Sequence, residues 1–216
     1  MTVAAIPRAA QRPLSPVMAG VSWQTYARLR RELDEAGTNV RITYDRGRME
    51  LMSPTPRHDK WKKLIAQLVE ALAADRDVPI SAFGSTTWKR EDLAQGLEAD
   101  ECYYVQHAEA MRGKLDIDLR IDPPPDLVVE IEVTHVAIDK RTIYAALRVP
   151  ELWGYDGSRL ECLHLQPDGT YAMGRASRAF SGFEPAHVHR FVSMYPQSLD
   201  SEILQAFREW LRGLRK

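Results

Sequence analysis

The segment Pro125–Val133 reads Pro-Asp-Leu-Val-Val-Glu-Ile-Glu-Val and decides the fold, because it sets carboxylates inside a run typical of a core strand. Side chains two positions apart on a strand share a face, so Asp126, Glu130 and Glu132 lie on one side with Val128. Like charges in a half-buried place are costly unless a cation lies between them. The strand therefore predicts a hard divalent metal such as Mg²⁺.

A second acidic strand is predicted upstream, from Leu97 to Val105, and it carries Asp100. One acid on each of two neighbouring strands, Asp100 and Glu130, would form a two-carboxylate metal site on a rigid sheet. Lys140 follows at the start of a predicted helix. Two acids and a lysine suit phosphodiester hydrolysis, since the metal polarises the phosphate and activates water while the ammonium offsets developing charge.

Four motifs extend this pattern over roughly residues 20 to 195. They are Gly47-Arg48-Met49-Glu50-Leu51-Met52-Ser53-Pro54 followed by His58, Glu98-Ala99-Asp100-Glu101-Cys102-Tyr103-Tyr104, Pro124-Pro125-Asp126-Leu127-Val128-Val129-Glu130-Ile131, and Val149-Pro150-Glu151-Leu152-Trp153-Gly154-Tyr155. Their order and spacing resemble the PD-(D/E)xK nuclease superfamily and, more closely, the Uma2 family of restriction endonuclease-like proteins.

The resemblance implies an α/β fold, with a restriction endonuclease-like mixed β-sheet flanked by α-helices. It implies Asp100 and Glu130 as ligands of Mg²⁺ or Mn²⁺, Lys140 as the catalytic cation and Glu50 as an additional acid. We also expect the main-chain carbonyl of Ile131 to be a metal ligand, because hard cations prefer oxygen.

Two positions depart from the superfamily pattern. Ala99 precedes Asp100 where the motif has proline, which leaves the ligand intact. Glu132 stands two residues after Glu130, where the motif has lysine. In the Uma2 family the lysine is typically displaced to the following helix, and Lys140 matches that position. Glu132 itself is expected either to face solvent or a salt-bridge partner, or to contact the metal.

Composition indicates one domain and a local nucleic-acid surface. With 216 residues and 44% hydrophobic content, the chain can bury a substantial core, and we expect a single domain over residues 21–216 after a flexible leader, residues 1–20. A net charge of −1 restricts DNA contact to a local patch. One candidate is the basic helix face with Arg57, Lys60, Lys62 and Lys63, although such faces are usually just solvated. Cys102 and Cys162 are expected as buried free thiols in a cytoplasmic protein without membrane spans.

Hydrophobic periodicity predicts the main elements. The predicted elements are a helix capped by Ser22 and stopped by Gly37, a hairpin turning at Asp45-Arg46-Gly47, a helix over 58–75, a strand over 80–89, a helix over 140–148, short strands over 152–155, 160–165 and 171–173, and a helix from about Ser201.

Several singled-out residues have ordinary structural alternatives. Asp126 could cap the start of its strand, and His58 could be either a general base or a helix-start residue. His187 and His189 are two apart, but without a third ligand nearby in sequence they are expected to face solvent.

Two functions follow from different classes of protein. The first is a Mg²⁺-dependent DNA endonuclease acting as a homodimer, because two copies of one site are the simplest way to cut both strands. The second is a catalytically idle nuclease-like module that binds DNA or protein. If the acids repel one another without metal, Asp100→Asn should stabilise the metal-free protein.

Overall fold

The computed structural model describes residues 16–132 and 137–214, which form two β-sheets and five α-helices. The helices are α1 (Trp23–Glu35), α2 (Pro56–Asp75), α3 (Lys140–Ala146), α4 (Ala186–Val192) and α5 (Asp200–Leu214).

The first sheet has five strands, all antiparallel to their neighbours. Their spatial order is β1 (Val17–Met18), β3 (Arg48–Met52), β2 (Arg41–Asp45), β6 (Gln95–Glu98) and β5 (Thr87–Arg90). The second sheet is mixed, because β8 and β9 are parallel. Its order is β11 (Tyr171–Gly174), β10 (Leu160–Leu165), β9 (Glu151–Tyr155), β8 (Leu127–Ile131), β7 (Glu101–Tyr104) and β4 (Ser81–Ala82).

The α/β class with a mixed sheet flanked by helices is confirmed, but two predicted strands are wrong as single elements. The strand predicted over 80–89 is split between β4 and β5, which belong to different sheets, and Gly84 between them has φ of +56°. The strand predicted over 97–105 is split at Ala99-Asp100 into β6 and β7. The chain therefore crosses between the sheets at Asp100.

Local signals in the first sheet and its helix are confirmed. Ser22 caps α1 by accepting a hydrogen bond from the Thr25 backbone N–H at 3.1 Å, and Gly37 follows the helix with φ of +61°. The β2–β3 hairpin turns through Arg46 and Gly47, both with positive φ, which a two-residue turn of the twist-matched type requires.

The predicted faces of β8 separate two cores. Leu127, Val129 and Ile131 pack in the larger core with α2 and α5, while Val128 packs in the smaller core with Tyr144 of α3. Glu130 points to the same face as Val128, because it is two residues further along the strand. The acid thus faces α3 instead of α2.

The N-terminal boundary differs from the expected leader. Val17 pairs with Glu50 and Met18 with Met49, so strand pairing begins before residue 21, while residues 1–15 lie outside the described part of the chain. Within that described part, the helices include none with the length and apolar character needed to cross a membrane.

Gly96 of β6 packs directly against Tyr26 of α1, with no room for a larger side chain. A Cβ at Gly96 would overlap the Tyr26 hydroxyl oxygen and lie 2.8 Å from the ring Cζ. We predict that Gly96→Ala lowers the free energy of unfolding by roughly 1–3 kcal/mol through overpacking. The measurement is urea unfolding.

Gly154→Ala is the matched control, since Gly154 also lies in a strand but has no such neighbour within 4 Å. Adding Tyr26→Phe to Gly96→Ala should recover part of the loss, because it removes the closest atom. An unchanged unfolding free energy for Gly96→Ala would contradict this packing.

Candidate active site

Asp100 and Glu130 come together because β7 and β8 pair antiparallel. Glu101 lies opposite Val129, and the same register continued by one residue sets Asp100 opposite Glu130. Both residues are buried, with 1% and 5% of their surface exposed. Two buried carboxyl side chains thus lie at opposed positions of neighbouring strands, and each needs charged or hydrogen-bonding partners.

The Asp100 carboxyl joins both sheets. Its Oδ2 accepts a hydrogen bond from the Ile131 backbone N–H at 2.7 Å, which fixes it to the end of β8. Its Oδ1 forms an ion pair with the guanidinium of Arg41 on β2. The Nε2 atom of His58 lies 3.0 Å from the same Oδ1. Asp100 therefore contacts the first sheet, the second sheet and α2.

The Glu130 carboxyl is held by α3. Lys140 Nζ donates to Oε2 at 2.7 Å, and the Tyr144 hydroxyl donates to Oε1. Burial, with the negative charge of Glu130, raises the pKa of Tyr144 well above its ordinary value, so the hydroxyl stays a donor. Asp139 caps α3 through the Arg141 N–H at 3.0 Å, which sets Lys140 in the first turn.

Arg41 and Tyr144 are the partners that the sequence prediction missed. Arg41 is buried on β2, and its Nε also lies 3.6 Å from Oε1 of Glu98. An arginine beside Ile42 at the start of a buried strand was the available signal, because buried charges are paired. The partner itself lies 59 residues away in sequence.

His58 takes the helix-start position, the one of its two alternatives that has structural support. Its backbone N–H donates to the Thr55 hydroxyl at 3.2 Å within the first turn of α2, so it belongs to the helix start. Its ring is buried against Asp100, and burial and the nearby Arg41 lower the pKa of His58. The ring Nε2 has no hydrogen bond of good geometry among the described residues.

Glu50 lies on β3, and its carboxylate hydrogen-bonds to backbone N–H groups. It accepts hydrogen bonds from the Ala137 N–H at 3.0 Å and the Ile138 N–H at 2.9 Å. Arg48 reaches the Ala137 carbonyl at 3.4 Å. In this arrangement Glu50 fixes the segment just before α3, and so it positions Lys140.

The other two acids of the segment lie at opposite ends of β8. Asp126 accepts from the Val105 N–H at 2.7 Å and from the His107 N–H at 3.0 Å, which is the capping role. Glu132 is exposed after the strand ends. Desolvation of its carboxyl by nearby protein and the charge of Glu130 raise the pKa of Glu132.

The basic face of α2 approaches the acidic site at Lys62. Lys62 Nζ donates to the Ser85 hydroxyl at 2.5 Å and lies 3.7 Å from Oε1 of Glu101. Ser85 Oγ in turn lies 3.5 Å from the Asp100 carbonyl oxygen. Lys60 instead pairs with Asp200 of α5. Lys62 is therefore linked to Asp100 through Ser85, whereas Lys60 is paired with α5.

The acidic pair fits a hard divalent cation. Asp100 and Glu130 offer carboxylate oxygens, which such ions prefer. The orphaned Nε2 of His58, buried 3.0 Å from Asp100, is a polar atom that a bound cation could satisfy. Arg41 and Lys140 supply the compensating charge in the structure itself.

A second group of ligand-type residues lies on β9 and β10. Within the described chain, Glu151, Cys162 and His164 offer atoms within 4.8 Å of one another. Glu151 is committed elsewhere, because its oxygens accept from the Trp153 ring N–H at 2.5 Å and, among others, the Ala179 N–H at 3.0 Å. Burial raises the pKa of the Cys162 thiol to about 12. The group ties β9 to the 177–179 loop.

Two further features lie apart from the acidic pair. Cys102 and Cys162 are buried and unbridged, as predicted. His187 is exposed, with its ring centroid 5.0 Å from that of Trp210. His189 is only part-exposed and its ring packs on Tyr155, so the expectation that both histidines face solvent is wrong for His189. A groove of about 910 Å³ runs along β5 between Trp23 and the loop containing Ile117, and none of the site residues lines it.

Comparison with known proteins matches residues 23–188 to the model of the Uma2 family, described as "putative restriction endonuclease". The chain belongs to the Uma2 family. A search of curated proteins found no match. The Uma2 match spans the sheet crossing at Asp100, β8 and α3, so every residue of the acidic cluster lies inside the family region.

The contacts reverse the stability expected for Asp100→Asn. The repulsion among the acids is offset by Arg41 and Lys140, so removing the Asp100 charge takes away the nearest anionic partner of the buried Arg41 guanidinium and leaves, within the described chain, only Glu98, 3.6 Å from its Nε. We predict that Asp100→Asn lowers the unfolding free energy of the metal-free protein by roughly 3 kcal/mol. Chemical denaturation in the presence of chelator measures it.

Asp92→Asn is the matched control, because Asp92 also pairs with an arginine, Arg90, but does so in solvent. It should change stability little. A stabilised Asp100→Asn protein would mean that repulsion between the acids outweighs the Arg41 contact.

Proposed function

We propose that this Uma2 protein is a Mg²⁺-dependent DNA endonuclease that hydrolyses phosphodiester bonds. One observation carries the proposal: two buried carboxylates on neighbouring strands, with a lysine ammonium 2.7 Å from one of them. Family membership supports the nuclease class. Acid, acid and lysine are the groups that metal-assisted phosphodiester hydrolysis uses.

Each residue has a defined role in this proposal. Asp100, Glu130 and the Ile131 carbonyl would hold Mg²⁺ or Mn²⁺, which when bound polarises the phosphate and activates water. Lys140 would offset charge that develops on the phosphate oxygens. Glu50 contributes by fixing the backbone at Ala137 and Ile138, which lie just before Lys140 in the chain.

The organisation of the active protein follows from the reaction. Cutting both strands of a duplex is most simply done by two copies of one site, so we propose a homodimer. The two buried, unbridged thiols suit a cytoplasmic protein. Residues 21–216, with the β1 strand that precedes them, would form one domain. Sedimentation with and without duplex DNA measures the oligomeric state.

The decisive experiment is cleavage of single-stranded, linear and supercoiled DNA with Mg²⁺ or Mn²⁺, with chelator as the negative arm. The wild type should cut at least one form, and Glu130→Gln should abolish cutting, because it removes a ligand charge without changing side-chain shape. Cleavage that persists in chelator would exclude the metal mechanism.

Lys140→Ala should lower the cleavage rate by roughly a hundredfold or more while DNA binding is retained, since its charge acts on the transition state. Single-turnover kinetics and fluorescence anisotropy separate the two effects. Lys89→Ala is the control, because Lys89 is an exposed lysine on β5. Equal loss in both variants would indicate a general loss of positive charge.

A second candidate is a nuclease-like module that binds DNA or protein without cutting it. The observation that favours it is the ion pair between Arg41 and Asp100, which neutralises a proposed metal ligand with a permanent cation. DNA binding without metal-dependent cleavage of any form would support this candidate over the endonuclease.

A further inference from the structure

Arg41 is a buried cation in direct contact with a proposed metal ligand. Its side chain is 6% exposed, and its guanidinium pairs with Oδ1 of Asp100. Arginine keeps its charge at every pH at which proteins fold. A divalent cation that binds this oxygen therefore meets a fixed positive charge already in place, and like charges at contact distance repel strongly in a buried site.

Asp100 has little freedom to avoid this conflict. Its other oxygen, Oδ2, accepts the Ile131 N–H at 2.7 Å, which ties the carboxyl to β8. His58 Nε2 lies 3.0 Å from Oδ1 on the side of α2. The carboxyl cannot rotate away from Arg41 without breaking the Ile131 bond, so the arginine is the group that has to move.

A receiving carboxylate for Arg41 already lies nearby. Oε1 of Glu98 is 3.6 Å from Arg41 Nε, and that Nε is buried without a hydrogen bond among the described residues. The other oxygen of Glu98 accepts from Arg30 Nη1 at 3.0 Å. A small shift of the guanidinium toward Glu98 would satisfy the orphaned Nε and vacate Asp100.

We infer that Arg41 and the divalent cation compete for Asp100, and that Arg41 transfers to Glu98 when the cation binds. This inference rests on the proposed function, because it takes Asp100 as a metal ligand. It assigns Arg41 as a positioning residue that holds the Asp100 carboxyl in place before the metal binds. Arg41 lowers metal affinity, and by reciprocity metal binding weakens the Arg41–Asp100 ion pair.

The test is titration of Mn²⁺ into metal-free protein, without DNA, by isothermal calorimetry. Arg41→Gln should bind Mn²⁺ roughly tenfold or more tightly than the wild type, because the competing charge is gone. Arg90→Gln is the control: Arg90 also pairs with an aspartate, Asp92, but contacts neither Asp100 nor Glu98. Its Mn²⁺ affinity should stay within about twofold of wild type.

A measurement on the wild-type protein covers the case in which Arg41→Gln does not fold. Nitrogen-15 spectra record the arginine side chains, and the signal that is lost in Arg41→Lys belongs to Arg41. On addition of Mg²⁺ the Arg41 signal should shift, while the signal of Arg90 at the surface should not. Equal Mn²⁺ affinity in Arg41→Gln and wild type would overturn the inference. So would absence of Mn²⁺ binding in both, or Mg²⁺ binding that leaves the Arg41 signal unchanged.

Failure of this inference is distinguishable from failure of the proposed function. Metal-dependent DNA cleavage by the wild type, with no gain of metal affinity in Arg41→Gln, would overturn only the competition. Tighter Mn²⁺ binding in Arg41→Gln, with no cleavage of any DNA form by the wild type, would keep the competition and overturn only the endonuclease.

Discussion

The site depends on one side chain, the Asp100 carboxyl, which bonds at once to the end of β8 and to Arg41 of β2. A carboxylate buried this deeply is stable only when its charge is matched. The match comes from the other sheet, so the charge that defines the site also holds the two sheets to each other. Glu130 repeats the arrangement on the neighbouring strand, with α3 as the source of Lys140.

The site thus consists of buried acids that are each paired with a positively charged side chain. Each acid of the central pair contacts a cation in the structure, Asp100 with Arg41 and Glu130 with Lys140. This explains how a domain with a net charge near zero can carry a concentrated acidic site without a large destabilisation. It also means that the charge of the two acids is already balanced by side chains of the protein itself.

Short-range patterns in the sequence predicted what local geometry controls. The two-residue alternation of residues 127–131 assigned the faces of β8 correctly, because pleating is a property of the strand alone. Ser22 and the Arg46-Gly47 turn were likewise predictable from capping and from positive φ. Membership of the Uma2 family followed from the order of four motifs and is confirmed by the family match.

What the sequence could not reveal were contacts between distant segments. The break at Ala99-Asp100 leaves no local trace, because the alternation continues across two strands that belong to different sheets. Arg41 could be suspected as a buried charge, but its partner depends on how the sheets dock. Glu50 shows the same limit: its acidity suggested chemistry, whereas its position beside Ala137 and Ile138 gives it a backbone-holding role.

The hydrogen bonds from Glu50 to the segment just before α3 have a consequence for how the lysine and its acid come together. The first sheet, through Glu50, sets where Lys140 begins, while the second sheet carries Glu130, the acid that Lys140 must meet. A chain in which the two sheets have not docked would lack the Glu50 hydrogen bonds that fix the segment before Lys140. The geometry of the Lys140–Glu130 ion pair is therefore a property of the docked sheets together, and a substitution in β3 can disturb it from a distance.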